Sequence, residues 1–490
     1  MEVDSILKFL DNKAILVTGA GFLAKIFAEK VLRSQPDVKK VYLLLRAPDD
    51  YSALQRLQNE VIGKDLFKIL KQKMGAKFNT FIQEKVSVVP GDITCQDLAI
   101  KDSKLKEELW REVDVIVNLA ATTNFDERYD VSLTVNTFGA KYVLEFAKKC
   151  ARLEVFVQVS TAYVSGETAG FIKERLYFMG ETLNGRKGLD VKVEKKLVEE
   201  KLDELQVMGA TTETIKISMR DMGLERARHW GWPNVYVFTK ALGEMVLLHE
   251  KGDVPLVIIR PTMVTSTLKE PFPGWVEGIR TIDSLVVAYG KGRLPCFLGD
   301  PGSIADMIPA DMVVNSIIVA AMVHANQPGN PRIYQIGSSV KNPASLASLH
   351  EMAYEYFKRH PWINKDGKPV IVGHVRVLGS MDSFKRYITL HYLLPLKVLE
   401  IANIALCQYF KGTLTEQTKK INKVMRLIEI YRPYLFFKGI YDDSNSEKLR
   451  MAAKERGLET DIFFFDPKAL NWEDYFINTH LPGLVKHVFK

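Results

Sequence analysis

Cysteine is scarce in this chain of 490 residues, and the patterns that mark disulfide-rich or zinc-binding proteins are missing. The four cysteines, Cys95, Cys150, Cys296 and Cys407, lie far apart, with no Cys-x-x-Cys pair and no histidine beside them. This spacing argues against a disulfide framework and against a zinc site. We therefore expect no metal, and a reducing compartment.

Long apolar runs are also missing. No stretch of about 18 uncharged apolar residues occurs, so we expect no clear membrane span. The first residues, Met-Glu-Val-Asp-Ser-Ile-Leu-Lys, lack the features of a signal peptide, and a strand-like run from Ala14 leaves no room for a long transit peptide. We expect an intracellular protein, either cytoplasmic or on the cytosolic face of a membrane, with the endoplasmic reticulum favoured.

The excess of positive charge is concentrated in one apolar-rich segment. Between Lys385 and Lys438 there are ten Lys or Arg against three Glu, which accounts for seven of the net charge of +8. A basic amphipathic stretch can lie on an anionic membrane surface, where each cation adds about 1 kcal/mol. The alternative is a solvated helical face on a packed domain. We expect no nucleic-acid partner, and the sequence leaves the oligomeric state open.

Strand-like and helical patterns alternate along the chain. The composition, 47% hydrophobic and 26% charged, is that of an ordinary globular protein. Alternation of short apolar runs with helices predicts an α/β fold, a Rossmann-like doubly wound parallel sheet. The predicted strands cover residues 14–17, 41–45, 86–89, 113–118, 155–160, 255–260 and 333–336, and the clearest helices cover 26–34 and 140–150.

From about residue 345 the alternation gives way to helical, basic and aromatic sequence, which indicates a change of domain. We predict an NADP-binding domain over 1–345, with substrate-binding insertions at about 165–230 and 262–310. A mainly helical C-terminal domain would cover 346–490. The highly charged segment 187–201 predicts an exposed helix inserted into the first domain.

The first predicted strand runs directly into a glycine turn, Thr18-Gly19-Ala20-Gly21-Phe22-Leu23, and then a helix. Glycines at this position let the backbone approach a diphosphate, which binds the free N–H groups of the helix start. The second strand ends at Arg46, where an NAD enzyme usually carries an acid. An arginine favours the 2′-phosphate of NADP, the alternative being a surface arginine at a strand end.

Further candidates for the cofactor follow the later strands. Asp92 could accept a hydrogen bond from the adenine amino group, and the small residues after Asn118 would let the chain pass close beneath the cofactor. The predicted cofactor-binding residues are Thr18, Gly19, Gly21, Phe22, Leu23, Arg46, Asp92, Ile93, Asn118, Ala120, Lys240, Pro261 and Thr262.

A tyrosine and a lysine four residues apart are the candidate catalytic groups. Tyr236 and Lys240 share one face of a predicted helix. The lysine could hold the ribose and lower the pKa of the phenol, so that Tyr236 serves as an acid near neutral pH. Thr161, which follows the strand at 155–160, could polarise a substrate carbonyl.

The spacing alone is weak support, because two further Tyr-x-x-x-Lys matches occur, Tyr354 with Lys358 and Tyr434 with Lys438. We interpret both as structural. Tyr236 alone lies between a Ser-Thr strand end and the strand at 255–260, where a reductase fold would need it.

The chain resembles the extended short-chain reductases, and within them the plant fatty acyl-CoA reductases. The resemblance covers nearly the whole chain. It rests on Ala-Ala-Thr-Thr-Asn-Phe-Asp-Glu-Arg-Tyr (120–129), Val-Ser-Thr-Ala-Tyr-Val (159–164), Gly-Trp-Pro-Asn-Val-Tyr-Val-Phe-Thr-Lys (231–240), Ile-Ile-Arg-Pro-Thr (258–262), Glu-Pro-Phe-Pro-Gly-Trp (270–275), Asp-Met-Ile-Pro-Ala-Asp (306–311) and Tyr-Leu-Phe-Phe-Lys-Gly (434–439).

This resemblance implies a two-step reduction of a long-chain acyl-CoA to a primary alcohol with two NADPH. It implies that Thr161 and Tyr236 hold the developing oxyanion, and that Tyr236 is the proton donor. One alternative is a reductase that releases the aldehyde or uses another carbonyl substrate. The other is a weakly active, membrane-associated NADP-binding protein, because the turn at 18–24 is one residue shorter than the family pattern Gly-x-x-Gly-x-x-Gly/Ala.

Overall fold

The computed structural model describes residues 5–405 and 408–489. The first four residues, which belong to the segment considered above as a possible signal peptide, and Cys407 lie outside the described residues. The described residues form thirteen strands, of which seven belong to one sheet. The strands are β1 (Ala14–Thr18), β2 (Lys40–Leu45), β3 (Val86–Pro90), β4 (Val115–Asn118), β5 (Val155–Val159), β6 (Gly170–Ile172), β7 (Leu256–Pro261), β8 (Met263–Thr265), β9 (Cys296–Leu298), β10 (Met307–Pro309), β11 (Arg332–Ile336), β12 (Arg376–Leu378) and β13 (Gly439–Tyr441).

Helices connect and flank these strands. The α-helices are α1 (Ile6–Leu10), α2 (Phe22–Ser34), α3 (Asp50–Arg56), α4 (Lys68–Met74), α5 (Phe78–Lys85), α6 (Ser103–Glu112), α7 (Tyr129–Ser132), α8 (Gly139–Ala147), α9 (Val191–Val207), α10 (Thr212–His229), α11 (Val235–Glu250), α12 (Thr281–Gly290), α13 (Ala310–Val323), α14 (Leu346–Arg359), α15 (Met381–Ile388), α16 (Leu394–Ala405), α17 (Lys411–Leu435), α18 (Ser444–Glu455), α19 (Trp472–Tyr475) and α20 (Leu481–His487). The π turns are Leu57–Ile62, Leu133–Phe138, Thr389–Leu393 and Phe476–His480, and the 3₁₀ turns are Asp65–Phe67, Gly75–Lys77, Gln96–Ala99, Ala162–Ser165 and Pro467–Ala469.

The central sheet is parallel and has the strand order β11-β7-β5-β4-β1-β2-β3. All seven predicted strands are confirmed, each to within two residues. They were recognisable because the central ones are buried along their whole length, which requires continuous Val, Ile and Leu. The order reverses at β1, which lies between β2 and β4. A crevice at the carboxyl ends of β1 and β4 is therefore the expected ligand site of this topology.

The predicted helix at 187–201 is observed, but it begins later and extends further, as α9. Gly188 has φ +95°, a conformation that does not continue into a helix. Asp190 instead caps α9 by accepting hydrogen bonds from the Lys192 and Val193 N–H groups. The helix has a long exposed face, as predicted, while Glu194 is fully buried.

The chain divides into two compact units. The first comprises Met1–Ile279, Asp306–Pro343 and Ile440–Lys490, and the second comprises Arg280–Ala305 and Ala344–Gly439. The predicted boundary near 345 coincides with the start of the second unit's long segment. Two segments differ from the prediction. Residues 280–305, predicted in the first domain, belong to the second unit, and residues 440–490, predicted in the C-terminal domain, belong to the first unit.

Two sets of contacts explain this difference. In the second unit, β9 pairs with β12, which joins the segment 280–305 to the helical segment by backbone hydrogen bonds. In the first unit, the C-terminal segment is buried through Tyr475, whose hydroxyl donates to the Ser266 carbonyl at 2.8 Å. Beside it, His480 Nδ1 lies 3.0 Å from the Ser266 hydroxyl. Neither pairing is visible in local sequence.

The second unit has its own core, formed by β9, β12 and helices α15 and α17 around Phe384 and Leu435. In the part of the chain that the structure describes, no helix is both long enough and apolar enough to cross a bilayer. Cys95, Cys150 and Cys296 are free thiols, the first exposed and the other two buried.

Candidate active site

A chain of buried side-chain hydrogen bonds joins the carboxyl ends of β1, β4 and β5. The Thr18 hydroxyl donates to Asn118 Oδ1 at 2.6 Å, and Asn118 Nδ2 donates to Gln158 Oε1 at 2.7 Å. The Thr18 oxygen also accepts from the N–H groups of Leu119 and Ala120, both at 3.0 Å. Thr18 and Asn118 are thus brought together, and their side chains hold the loop after β4 against the first turn.

The first turn leaves space for a ligand in front of α2. Gly19 has φ +81°, and a Cβ there would lie 3.3 Å from Ala120 Cβ, so both the conformation and the contact require glycine. A Cβ on Gly21 would meet nothing within 4 Å. Helix α2 begins at Phe22, and no described side chain caps it. Open space in front of the helix start fits the diphosphate of a dinucleotide, and the short turn still starts the helix at Phe22.

Three of the predicted cofactor residues have side chains that are partly or wholly used in packing. Phe22 is buried and stacks on Trp275, with ring centroids 5.2 Å apart. Ile93 belongs to the core and packs so closely on Gly139 that a Cβ there would lie 2.7 Å from Ile93 Cδ1. Leu23 is half-buried. These residues would therefore contact a cofactor through their backbone groups rather than through their side chains.

The segments that follow β2 and β3 form a pocket of about 220 Å³. It begins one residue after Arg46, which is exposed, and includes Ala47, Pro90 and Ile100. Asp92 lies after β3, and its Oδ1 accepts hydrogen bonds from the Thr94 N–H at 2.9 Å and hydroxyl at 2.8 Å. This is the end of the crevice at which an adenosine would lie in this topology.

Thr161 and Tyr236 meet at the end of β5. Thr161 accepts a hydrogen bond from the Tyr163 N–H at 3.3 Å and so starts a 3₁₀ turn. Tyr236 lies in the first turn of α11, which Asn234 caps by accepting from the Val237 N–H at 3.2 Å. The Thr161 side chain lies close enough to the Tyr236 hydroxyl to oppose the rise of its pKa. The geometry thus presents two hydroxyl groups at one point, as expected for holding a carbonyl oxygen.

Lys240 lies one turn after Tyr236, with its ammonium against β5. The group is buried and donates to the Val159 carbonyl at 2.7 Å. Burial lowers the pKa of Lys240 to about 8, against the attraction of the Glu244 carboxylate. Burial raises the pKa of Tyr236 to about 12, and the Thr161 side chain opposes this rise. Burial therefore dominates the pKa of Tyr236 in this structure, and the lowering expected from Lys240 stays a prediction.

Two residues near the catalytic group were not identified from the sequence. The Phe125 ring stacks on Tyr236, with centroids 5.5 Å apart and planes 13° apart. Asn136 joins the loop after β4 to α11. Its Nδ2 donates to the Thr122 carbonyl and to the Thr239 hydroxyl, and its Oδ1 accepts from the Thr122 N–H, all at 3.1 Å. Phe125 is part of the motif at 120–129, but only the fold shows which ring it covers.

The remaining predicted residues lie beside this group. The Pro261 carbonyl, at the end of β7, accepts from the Thr161 hydroxyl at 3.5 Å. The Thr262 N–H donates to the Ile336 carbonyl at 3.0 Å, so this residue continues the sheet edge.

The other two Tyr-x-x-x-Lys matches lie in the second unit, as expected for structural pairs. Lys358 covers the Tyr354 ring with its ammonium 5.2 Å from the centroid. Lys438 forms an ion pair with Asp300.

Comparison with known families and proteins gives full-length matches. An NAD-binding family model described as male sterility protein matches residues 17–317, and a second model with the same description matches 391–490. An alcohol-forming fatty acyl-CoA reductase from Simmondsia chinensis is 66% identical over 489 residues, which cover 99% of each chain. Fatty acyl-CoA reductase 1 from Arabidopsis thaliana is 52% identical over 487 residues, again 99% of each chain.

Among solved structures, the reductase domain of a non-ribosomal peptide synthetase from Mycobacterium tuberculosis matches with a TM-score of 0.57 at 16% identity. The match covers 99% of this chain and 96% of that one. At this identity the likeness concerns the fold alone. It confirms the predicted doubly wound sheet with a helical C-terminal region, and the matching family model assigns a nicotinamide cofactor to the sheet domain.

The two glycines of the first turn give a discriminating prediction. Gly21→Ser should leave the stability unchanged or slightly higher, since serine is a good N-cap, while its side chain enters the space for the diphosphate and weakens NADPH binding. Gly19→Ser, the matched control, should cost about 1–2 kcal/mol of stability because of its positive φ. Thermal unfolding and NADPH titration measure the two effects. If Gly21→Ser binds NADPH like the natural protein, the diphosphate does not lie at this turn.

Proposed function

Because the chain belongs to the male sterility protein family of alcohol-forming fatty acyl-CoA reductases, we propose that it reduces long-chain fatty acyl-CoA through an aldehyde to the primary alcohol, with NADPH as the reductant. The observation that carries the proposal is the pairing of the Thr161 and Tyr236 side chains at the end of β5, beside the crevice of the first turn. Lys240 lies one turn further along the same helix. We take these three residues as the catalytic group.

The first reduction converts the thioester into a thiohemiacetal. A nicotinamide cofactor held at the first turn would supply the hydride, and the carbonyl oxygen of the substrate would become negative as the hydride adds. The Thr161 and Tyr236 hydroxyls would hold this oxygen, because preorganised donors stabilise charge that develops in the transition state. The thiohemiacetal then collapses to an aldehyde and free CoA, and the aldehyde is reduced at the same two hydroxyls.

The high pKa of Tyr236 suits a proton donor to an alkoxide. A phenol with a pKa of about 12 stays protonated at neutral pH. An alkoxide is about as basic as hydroxide and therefore more basic than the phenolate of Tyr236, so proton transfer from Tyr236 to it is downhill. In the proposed mechanism Lys240, which is buried and bonded to Val159, returns a proton to the phenol. Phe125 covers one face of the Tyr236 ring and restricts the approach of water.

Turnover by matched variants tests this assignment. Tyr236→Phe should keep NADPH binding and lose roughly 10²-fold or more in turnover, the usual scale for a general acid. Tyr354→Phe, which alters the same spacing in the second unit, should be as active as the natural protein. The measurement is mass spectrometry of alcohol and aldehyde after incubation with acyl-CoAs from medium to very long chain. A fully active Tyr236→Phe variant would exclude the role given to this tyrosine.

The same product analysis separates the alternative functions. Aldehyde without alcohol would indicate a reductase that releases the first product. Binding of NADPH without turnover of any acyl-CoA would indicate the weakly active NADP-binding protein. The short first turn still starts α2 at Phe22, and Thr161 and Tyr236 still lie together. Both observations favour the full reduction over the weakly active alternative.

We further propose that the cofactor is NADPH rather than NADH. Arg46 is exposed at the end of β2, one residue before the pocket between the segments that follow β2 and β3. A guanidinium there can bind the 2′-phosphate with charge-assisted hydrogen bonds.

Removal of this side chain should act on one cofactor only. Arg46→Ala should weaken NADPH binding by about 2 kcal/mol and leave NADH nearly unaffected. Arg111→Ala on α6, whose side chain is 71% exposed, should weaken neither cofactor and serves as the control. Fluorescence titration with both cofactors is the measurement. Equal weakening of NADPH and NADH by Arg46→Ala would mean that the arginine does not read the phosphate.

We also propose that the protein acts on the cytosolic face of a membrane, such as the endoplasmic reticulum. Helix α16 exposes Val398, Ile401 and Ile404, each about 70% accessible, which is unusual for large apolar side chains. Exposed lysines accompany them on α16 and α17, among them Lys397 and Lys411. An apolar surface surrounded by cations fits an anionic bilayer better than bulk water.

Vesicle binding tests this surface. The double variant Val398→Glu/Ile401→Glu should lose most of its binding to vesicles that contain anionic lipid, because it removes apolar contact and adds negative charge. Binding of the natural protein should fall at high salt, since surface attraction is screened within about 8 Å at physiological ionic strength. Ile371→Glu, at a position 82% exposed, is the control and should bind normally. Unchanged binding by the double variant would contradict the proposal.

A further inference from the structure

A buried ion pair lies directly behind Lys240. Glu244 is one turn further along α11, and Arg260 is on β7. Arg260 Nε donates to Glu244 Oε1 at 3.0 Å, and its Nη2 to Oε2 at 2.5 Å, in a bidentate arrangement. The exposed fractions are 4% for Lys240, 1% for Glu244 and 2% for Arg260. Three charges are therefore enclosed away from water.

The pair is built into the elements that carry the catalytic residues. Val159, whose carbonyl accepts from Lys240, pairs with Ile259 on β7, the residue next to Arg260. Arg260 Nη1 also donates to the Arg175 carbonyl at 2.9 Å, and the Tyr177 ring lies 5.4 Å from the guanidinium. The ion pair thus joins α11, β7 and the segment after β6 at one point.

We propose that Glu244 and Arg260 are positioning residues that keep Lys240 charged and in place for proton return to Tyr236. This inference rests on the proposed function, in which Lys240 supplies that proton. If Glu244 and Arg260 only held α11 against the sheet, the bidentate hydrogen bonds between them would be sufficient. The Glu244 carboxylate also lies one turn from the buried Lys240 ammonium, and this adds an electrostatic effect.

The direction of that effect follows from the charges that face Lys240. Tyr236 and Glu244 share its helix, and Arg260 faces it from β7. Glu174 interacts with Arg260 from the segment after β6. Burial lowers the pKa of Lys240 to about 8, and Glu244 opposes the fall. Without the carboxylate, Lys240 would lose its proton at lower pH, because burial would act unopposed.

The test is the pH profile of turnover by the full-length protein. Activity should fall on the alkaline side as Lys240 loses its proton. Glu244→Gln should move that alkaline limb down by about one pH unit, the scale of one charge at this range in a buried site. The double variant Glu244→Gln/Arg260→Gln should show the same shift, because it lacks the same carboxylate.

A second buried pair provides the control. Glu194 accepts from Arg226 Nε at 3.1 Å and from the Trp230 indole at 2.9 Å, and its own burial is complete. Glu194→Gln should lower the unfolding temperature without moving the alkaline limb. A folded Glu244→Gln protein with an unshifted limb overturns the proposal. If that variant does not accumulate, the double variant removes the Glu244–Arg260 pair as a whole and does not leave Arg260 unpaired, and an unshifted limb there has the same meaning.

A second measurement distinguishes failure of the proposed function from failure of the electrostatic role of Glu244. If the natural protein reduces no acyl-CoA and no aldehyde at any pH, the proposed reaction is wrong. The ionisation of Lys240 can still be followed by NMR of protein labelled in its lysine side chains, the Lys240 signal being the one missing from Lys240→Arg. A titration that Glu244→Gln does not move to lower pH would overturn the electrostatic role independently of turnover.

Discussion

The hydrogen bonds from Thr18 to Asn118 and from Asn118 to Gln158 hold three strand ends in register, and the site depends on that register. They bring the loop after β4 within 3.3 Å of a Cβ position on Gly19, which shapes the dinucleotide turn. The same loop carries Phe125 to Tyr236. Since these amide and hydroxyl groups are buried, each must find a partner, and that requirement makes the arrangement specific.

Burial then determines the chemistry of the groups that this register assembles. The same exclusion of water raises the pKa of Tyr236 and lowers that of Lys240. A protonated phenol suits donation to an alkoxide, but a lysine with a lowered pKa carries its proton over a narrower range of pH. The Glu244–Arg260 pair offsets part of this cost from the far side of Lys240. The catalytic group is therefore understood as an electrostatic unit that extends one turn beyond the Tyr-x-x-x-Lys motif.

In the proposed function, the two units would meet different physical demands of an amphipathic substrate. The first unit encloses polar and ionisable groups at a sheet edge, where proton and hydride transfer need a dry and rigid site. The second unit presents apolar and basic side chains on α16 and α17, a composition suited to a lipid surface. A long acyl chain is poorly soluble in water, so an enzyme that works at a bilayer would meet its substrate where the substrate is concentrated.

The sequence alone determined the sheet, and it predicted the dinucleotide turn and the proposed catalytic trio, because each depends on a local pattern. Buried parallel strands need continuous apolar runs, the turn needs its glycines, and Tyr236 and Lys240 share a face through helical periodicity. Only the tertiary structure decided that Phe125 covers Tyr236, that Arg260 pairs with Glu244, and that the C-terminal segment returns to the first unit. These contacts join residues that are 16 to more than 200 positions apart in the sequence. They depend on tertiary packing, which leaves no periodic pattern along the chain.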